Sequence, residues 1–173
     1  MKLQQGMLSF GRVFFCIVLL ICVFETARLW GLSPESMAAH FNAQGNPDSF
    51  VPKVQFFWFQ GQTALVVLGL GIVLQVLLLV MPARLINLPH REYWLSEEHR
   101  DATVDTMSSF AAWLFGCVLV VIQVGFELAV YANLQQPVAF AAPIMLTAIV
   151  AFMLVAMLLL FQLTRAFRQP PAE

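Results

Sequence analysis

Residues 54–81 read VQFFWFQGQTALVVLGLGIVLQVLLLVM, a stretch without one charged side chain that stops at Pro82. As a helix rising 1.5 Å per residue it is about 42 Å long. The hydrocarbon core of a bilayer is roughly 30 Å thick. Backbone N–H and C=O groups in lipid find no water, so they must bond within their own segment, and a helix achieves this. No alternation of apolar and polar residues suggests a barrel strand. The stretch therefore predicts a membrane-spanning helix, ended by a proline that cannot extend the hydrogen-bond ladder.

The rest of the chain agrees with lipid as its solvent. Of 173 residues, 60% are hydrophobic and 11% charged, and the mean hydropathy is +0.80. Soluble domains carry roughly 25% charged residues. The net charge of −1 leaves no basic footprint for nucleic acid. Three more spans are predicted, at about 8–30, 106–131 and 142–163. Asn133-Leu-Gln-Gln-Pro137 forms a turn between the last two, and Pro143 sits near the start of the fourth. The first span is not expected to be a cleaved signal peptide. Val23-Phe24-Glu25-Thr26-Ala27 lacks a small-x-small pattern, and Ile21 before Cys22 suits no lipoprotein site. Cys16, Cys22 and Cys117 lie in apolar runs and read as packing residues.

Four spans put the N-terminus, the 82–105 loop and the 164–173 tail on one side. That side holds Lys2, Arg12, Arg84, Arg91, Arg100, Arg165 and Arg168, seven of the nine basic residues, against Arg28 and Lys53 on the other. The excess predicts that the first side is cytoplasmic. Trp30 and Trp58 then mark the outer interface, and Trp94 the inner one. The expected fold is all-α: a single four-helix transmembrane bundle with a short outer-loop helix and an amphipathic cytoplasmic elbow.

The outer loop, 31–53, places Ser33 as an N-cap, Pro34 at N1 and Glu35 in a first turn, predicting a short helix to about Phe41. Asn42 to Asp48 is rich in turn residues, with Gly45 free to take positive φ. His40, Asn42 and Asp48 either pin this turn or converge on a metal or polar ligand; the turn is the simpler interpretation, and no metal is expected. Pro34, His40-Phe41-Asn42, Gly45, Pro47-Asp48 and Lys53 resemble the signature of a bacterial membrane family, domain of unknown function 1648 (DUF1648). The resemblance covers about 12–80, and Ser33 interrupts the family's usual Leu-Pro pair. It implies relatives that include immunity proteins, which protect a bacterium from a secreted killing factor of its own kind. One such type also signals by holding a repressor at the membrane.

A second block in the 82–105 loop, Asn87, Pro89, Tyr93, Trp94, Leu95, Glu98 and Arg100, is similar to one seen in short four-span members of that family, distant relatives of the immunity proteins. His90 and Arg91 stand where the family more often has Asn and Lys. Ser96 is the expected N-cap of a helix running from Glu97 into the third span, with Tyr93 and Trp94 at interfacial depth.

Polar residues inside spans are functional candidates. Glu25, Arg28, Gln60, Gln123 and Glu127 all fall in the outer half. Glu127 stands about 28 Å beyond Ser108, and Glu25 about 20 Å beyond Arg12, at helical rise. They form either a polar outer cavity roofed by the loop or separate snorkelling groups. Gly61, Gly69, Gly71, Gly116 and Gly125 permit close helix contact, within the bundle or across a homo-oligomer.

No nucleophile–base pair, nucleotide loop or HExxH motif is present, so no enzyme and no cofactor is expected. The favoured role is a non-catalytic inner-membrane protein that binds a protein, peptide or other ligand at its outer loop. The alternatives are a small transporter or accessory subunit using the polar cluster, and a membrane metalloenzyme built on His40 and Asp48.

Overall fold

The computed structural model describes residues 10–170. Lys2, residues 8–9 of the expected first span and 171–173 of the tail lie outside the described residues. Among the described residues four helices are long and apolar enough to cross a membrane: α1 (Gly11–Leu32), α2 (Lys53–Val80), α4 (Arg100–Asn133) and α5 (Ala142–Ala166). A short helix, α3 (Arg91–Trp94), follows a single 3-10 turn at Ala83–Leu85. The 33–52 connection is a hairpin of β1 (Ser36–Phe41) and β2 (Pro47–Pro52).

The bundle is built around α4. This helix packs against α1, α2 and α5, and carries thirteen buried residues, while α5 has only Leu159 buried. Small side chains explain why α4 is the spine. Ser108, Ser109, Ala111, Ala112 and Gly116 let neighbours approach its backbone. Gln75 Nε2 of α2 donates to Ser108 O at 2.9 Å, and Gly11 N of α1 donates to Ser109 Oγ at 3.2 Å. At the opposite end, Leu29, Met37, Phe56, Phe57, Phe126 and Val130 form a core in which Phe56 and Phe57 contact the Phe126 ring at centroid distances of 5.5 and 5.1 Å. Outside these seams the helices expose apolar side chains, such as Leu65, Leu70, Met153 and Leu154. Such a surface is stable against lipid and costly against water.

The structure corrects two local expectations. The predicted outer helix at 34–41 is a β-strand. Ser33 does not cap a following helix; it closes the preceding one, its Oγ and N–H both donating to Leu29 O, at 2.8 and 3.1 Å. Strands β1 and β2 pair antiparallel, Ser36 opposite Pro52 and Ala38 opposite Phe50. An irregularity between Ala38 and His40 shifts the pleat. Met37 and Ala38 are both buried although they are consecutive: Met37 joins the core of Leu29 and Phe56, and Ala38 is bonded by Asn133. The second correction concerns Ser96. The spanning helix starts at Arg100, with His99 at its N-cap. Ser96 Oγ instead donates to Tyr93 O at 2.9 Å, within a tight turn whose Ser96 carbonyl receives the N–H groups of His99 and Arg100.

Candidate functional site

The hairpin is fixed to the bundle by side chains from distant parts of the chain. Asn133, at the end of α4, acts as a substitute strand partner: Ala38 N donates to its Oδ1 at 2.6 Å, and its Nδ2 donates to Ala38 O at 3.1 Å and to Ala129 O at 2.8 Å. Lys53 Nζ donates to Ser33 O at 3.1 Å, lies 4.9 Å from the Trp30 ring and 3.8 Å from Glu35 Oε1. It thus ties the end of α1 to the start of α2. The turn is held by Asn42, whose Oδ1 accepts from the N–H groups of Gln44 and Asn46, each at 3.0 Å. Gly45 has φ +81°, and its carbonyl accepts from Phe140 N at 2.9 Å. A Cβ there would stand 2.8 Å from Phe140 O, so both its conformation and its neighbour require glycine.

His40 and Asp48 face each other across the hairpin, Nδ1 to Oδ1 at 2.5 Å, with their side chains 70% and 44% exposed. Among the described residues no group of three His, Cys, Asp or Glu side chains is arranged to hold a metal ion. Of the five loop candidates, Asn42, Gly45 and Lys53 are therefore bound into the hairpin's construction. His40 and Asp48 are paired at its surface.

The five polar residues at the hairpin end of the spans form two networks. Arg28 Nε donates to Glu25 Oε2 at 2.7 Å, and its Nη2 donates to Tyr131 Oη at 3.1 Å, linking α1 to α4. Gln60 Nε2 donates to Gln123 Oε1 at 3.4 Å, and Gln123 Nε2 to Glu127 Oε1 at 3.0 Å, linking α2 to α4. A cleft of about 400 Å³ opens between α1 and α2 at this level. Its walls are mainly apolar, with Thr26 and Gln60 as polar members, and Glu25, Arg28, Gln123 and Glu127 do not line it.

The elbow block is largely structural. Trp94 is buried, its Nε1–H donating to Phe167 O at 3.2 Å, and its own carbonyl accepts from Thr103 Oγ1 at 2.7 Å. Tyr93 stacks on His99 at 4.2 Å. Arg100 Nη2 donates to the carbonyls of Leu79 and Met81, both at 3.2 Å, capping the end of α2. Asn87, Pro89 and Glu98 are exposed.

Residues 16–61 match the model of the family described as Domain of unknown function (DUF1648). The matched segment runs from Cys16 in α1, through the whole hairpin, to Gly61 in α2, and so contains Lys53, Asn42 and the His40–Asp48 pair. Its anchors Asn133 and Phe140 lie outside it, as does the elbow. No curated protein and no solved structure matches the chain.

Sequence reasoning missed Asn133, Tyr131 and Phe140 as site residues. Asn133 carried only a turn signal, and nothing local distinguishes a turn asparagine from one that grips a strand. The capping role of Arg100 gives a direct expectation. Arg100→Ala should cost about 1–2 kcal/mol, the lower part of the range for hydrogen bonds from a charged donor because the guanidinium is only half-buried. Lysine, a point charge without a fork, should recover about half of it. Thermal unfolding in detergent micelles reads both values.

Proposed function

We propose that this is a non-catalytic protein of a bacterial cytoplasmic membrane, which holds the hairpin out of the bilayer as a rigid binding platform for a protein or peptide. The clamped yet exposed state of the hairpin carries this proposal. Asn133, Lys53 and Gly45–Phe140 anchor it from beneath, while His40, Asp48 and Phe50 remain accessible, Phe50 at 56%. A surface fixed before binding loses little conformational entropy when a partner arrives. Exposed aromatics beside polar groups are typical of interface anchors. The excess of Arg and Lys at the elbow end supports placing that end and both termini in the cytoplasm, with the hairpin outside. The likeness to DUF1648 over the platform itself supports a role of the immunity or signalling kind, in which an external event is sensed.

A photo-crosslinking residue in place of Phe50, activated in intact membranes of the native host, tests the proposal. A discrete protein or peptide adduct is expected, at least fivefold weaker in a His40→Ala/Asp48→Ala background. That background should shift stability by no more than about 1 kcal/mol, since exposed pairs contribute little. Adducts to lipid alone, or an adduct indifferent to both substitutions, would remove the platform role.

The hydrogen-bonded line Gln60–Gln123–Glu127 favours a second reading, a transporter or accessory subunit. Flux into vesicles that disappears in Glu127→Gln but survives His40→Ala would select it over the platform.

A further inference from the structure

At the elbow end, a cavity of about 640 Å³ lies between the last turn of α5 and the chain leading to α3, lined by Pro89, Phe161, Thr164, Arg165 and Arg168. We propose that this cavity binds the headgroup of an anionic phospholipid, with Arg165 and Arg168 holding the phosphodiester and the exposed Phe161 ring against the upper acyl chain.

Depth supports the assignment. From Pro143 to Thr164, α5 has no charged residue. That length of helix is about 33 Å, close to the thickness of the hydrocarbon core. Arg165 and Arg168 therefore fall at phosphate level, and Phe161, one turn earlier, within the acyl region. Charge supports it as well. Among the described residues neither guanidinium has an ion-pair partner, whereas Arg12 and Arg28 are paired with Asp105 and Glu25. Both arginines are exposed, Arg165 in the last turn of α5 and Arg168 two residues past its end. Guanidinium is the side chain best matched to phosphate, offering parallel N–H donors in a fixed fork.

The cavity also has a fixed second wall. Trp94 holds Phe167 O at 3.2 Å and packs its ring against Phe167 at 5.4 Å, joining the end of α5 to the elbow. Pro89 is thereby held opposite the arginines rather than free to swing away. A zwitterionic headgroup brings its own cation and gains less from two guanidinium groups. A soluble anion lacks the chain that would lie on Phe161.

Native mass spectrometry of the full chain, released from micelles containing equal phosphatidylglycerol and phosphatidylethanolamine, tests the site. Wild type should retain phosphatidylglycerol selectively. Arg165→Ala/Arg168→Ala should retain it about 25-fold less, on the order of fivefold for each basic residue at the membrane surface. Arg84→Ala/Arg91→Ala, on the same face but outside the cavity, should lose less than threefold. Equal loss in both pairs, no selectivity in wild type, or displacement of the lipid by millimolar inorganic phosphate would each overturn the proposal. If the double alanine variant does not fold, Arg165→Lys/Arg168→Lys serves instead. It keeps the charge, and should keep the selectivity with about threefold weaker retention; unchanged retention would show that charge alone suffices and that no shaped site exists.

Discussion

Asn133→Ala should free the hairpin from the bundle while the four spans stay packed. The Ala38 N–H and C=O are both taken by this one side chain, and Ala38 is fully buried. Alanine at 133 leaves two polar backbone groups without a partner, away from water. Each such group costs about 1–3 kcal/mol, so local opening becomes easier by about 2–6 kcal/mol. At 1.4 kcal/mol per decade that is about 30- to 20,000-fold faster amide exchange. The gain should appear across 36–52 and not within α1 or the body of α4, because Asn133 is the last residue of α4 and its side chain reaches the hairpin. Asn133→Asp should fare no better: a carboxylate still accepts from Ala38 N–H, but its second oxygen faces the carbonyls of Ala38 and Ala129. Hydrogen exchange read by mass spectrometry on peptides over 36–52 measures the effect. Unaltered exchange there would mean that Lys53 and Phe140 hold the platform without Asn133.

This clamp also marks where the sequence stops being informative. The absence of charge in 54–81 forces a spanning helix whatever surrounds it, because lipid leaves the backbone no other way to bond. Turn chemistry around Asn42 and Gly45 is likewise local, and the Asx bonds and the positive φ follow from those residues alone. The strand Ser36–Phe41 is different. Met37, Ala38 and Ala39 favour helix by propensity, and Ser33-Pro34-Glu35 imitates a helix start. What overrides them is a hydrogen-bonding partner ninety-five residues away and a hydrophobic slot for Met37 among Leu29, Phe56 and Val130. The polar residues at the hairpin end of the spans show the same division. Their depth was legible from helical rise, and the Glu25–Arg28 pair from its spacing. Whether they shared one cavity depended on rotations about α1, α2 and α4 that no residue count supplies. At the elbow, Ser96 had the right chemistry for a cap, yet Thr103 and Trp94 bond across the turn and move the helix start to Arg100. Local signals decide local structure, and each failure arises where a long-range contact satisfies the same groups better.

The tightest of the described glycines gives the second large effect. A Cβ on Gly11 would stand 2.0 Å from Ser109 O and 2.6 Å from Trp113 Cδ1. A backbone carbonyl in the middle of the spine helix cannot turn aside, so Gly11→Ala must push α1 away from α4. That movement also breaks the bond from Gly11 N to Ser109 Oγ, strains the neighbouring Arg12–Asp105 ion pair, and separates the Phe14 and Trp113 rings, stacked at 4.1 Å. Overpacking of this kind costs about 1–3 kcal/mol, and the lost hydrogen bond adds about 1 kcal/mol. Gly116→Ala is the informative comparison. Its Cβ would meet Phe14 Cε1 at 2.6 Å. What must move there is a side-chain ring and not a backbone, by ~1 Å and against its stack on Trp113, so about 1–2 kcal/mol is expected. Gly69 has nothing within 4 Å of its would-be Cβ, and alanine there should stabilise by up to about 1 kcal/mol through helix propensity. Thermal midpoints in one detergent should therefore rank Gly69→Ala above wild type, Gly116→Ala below it and Gly11→Ala lowest. A Gly11 variant as stable as wild type would mean that α1 and α4 do not meet backbone to backbone, and the spine arrangement, with the platform it supports, would have to be redrawn.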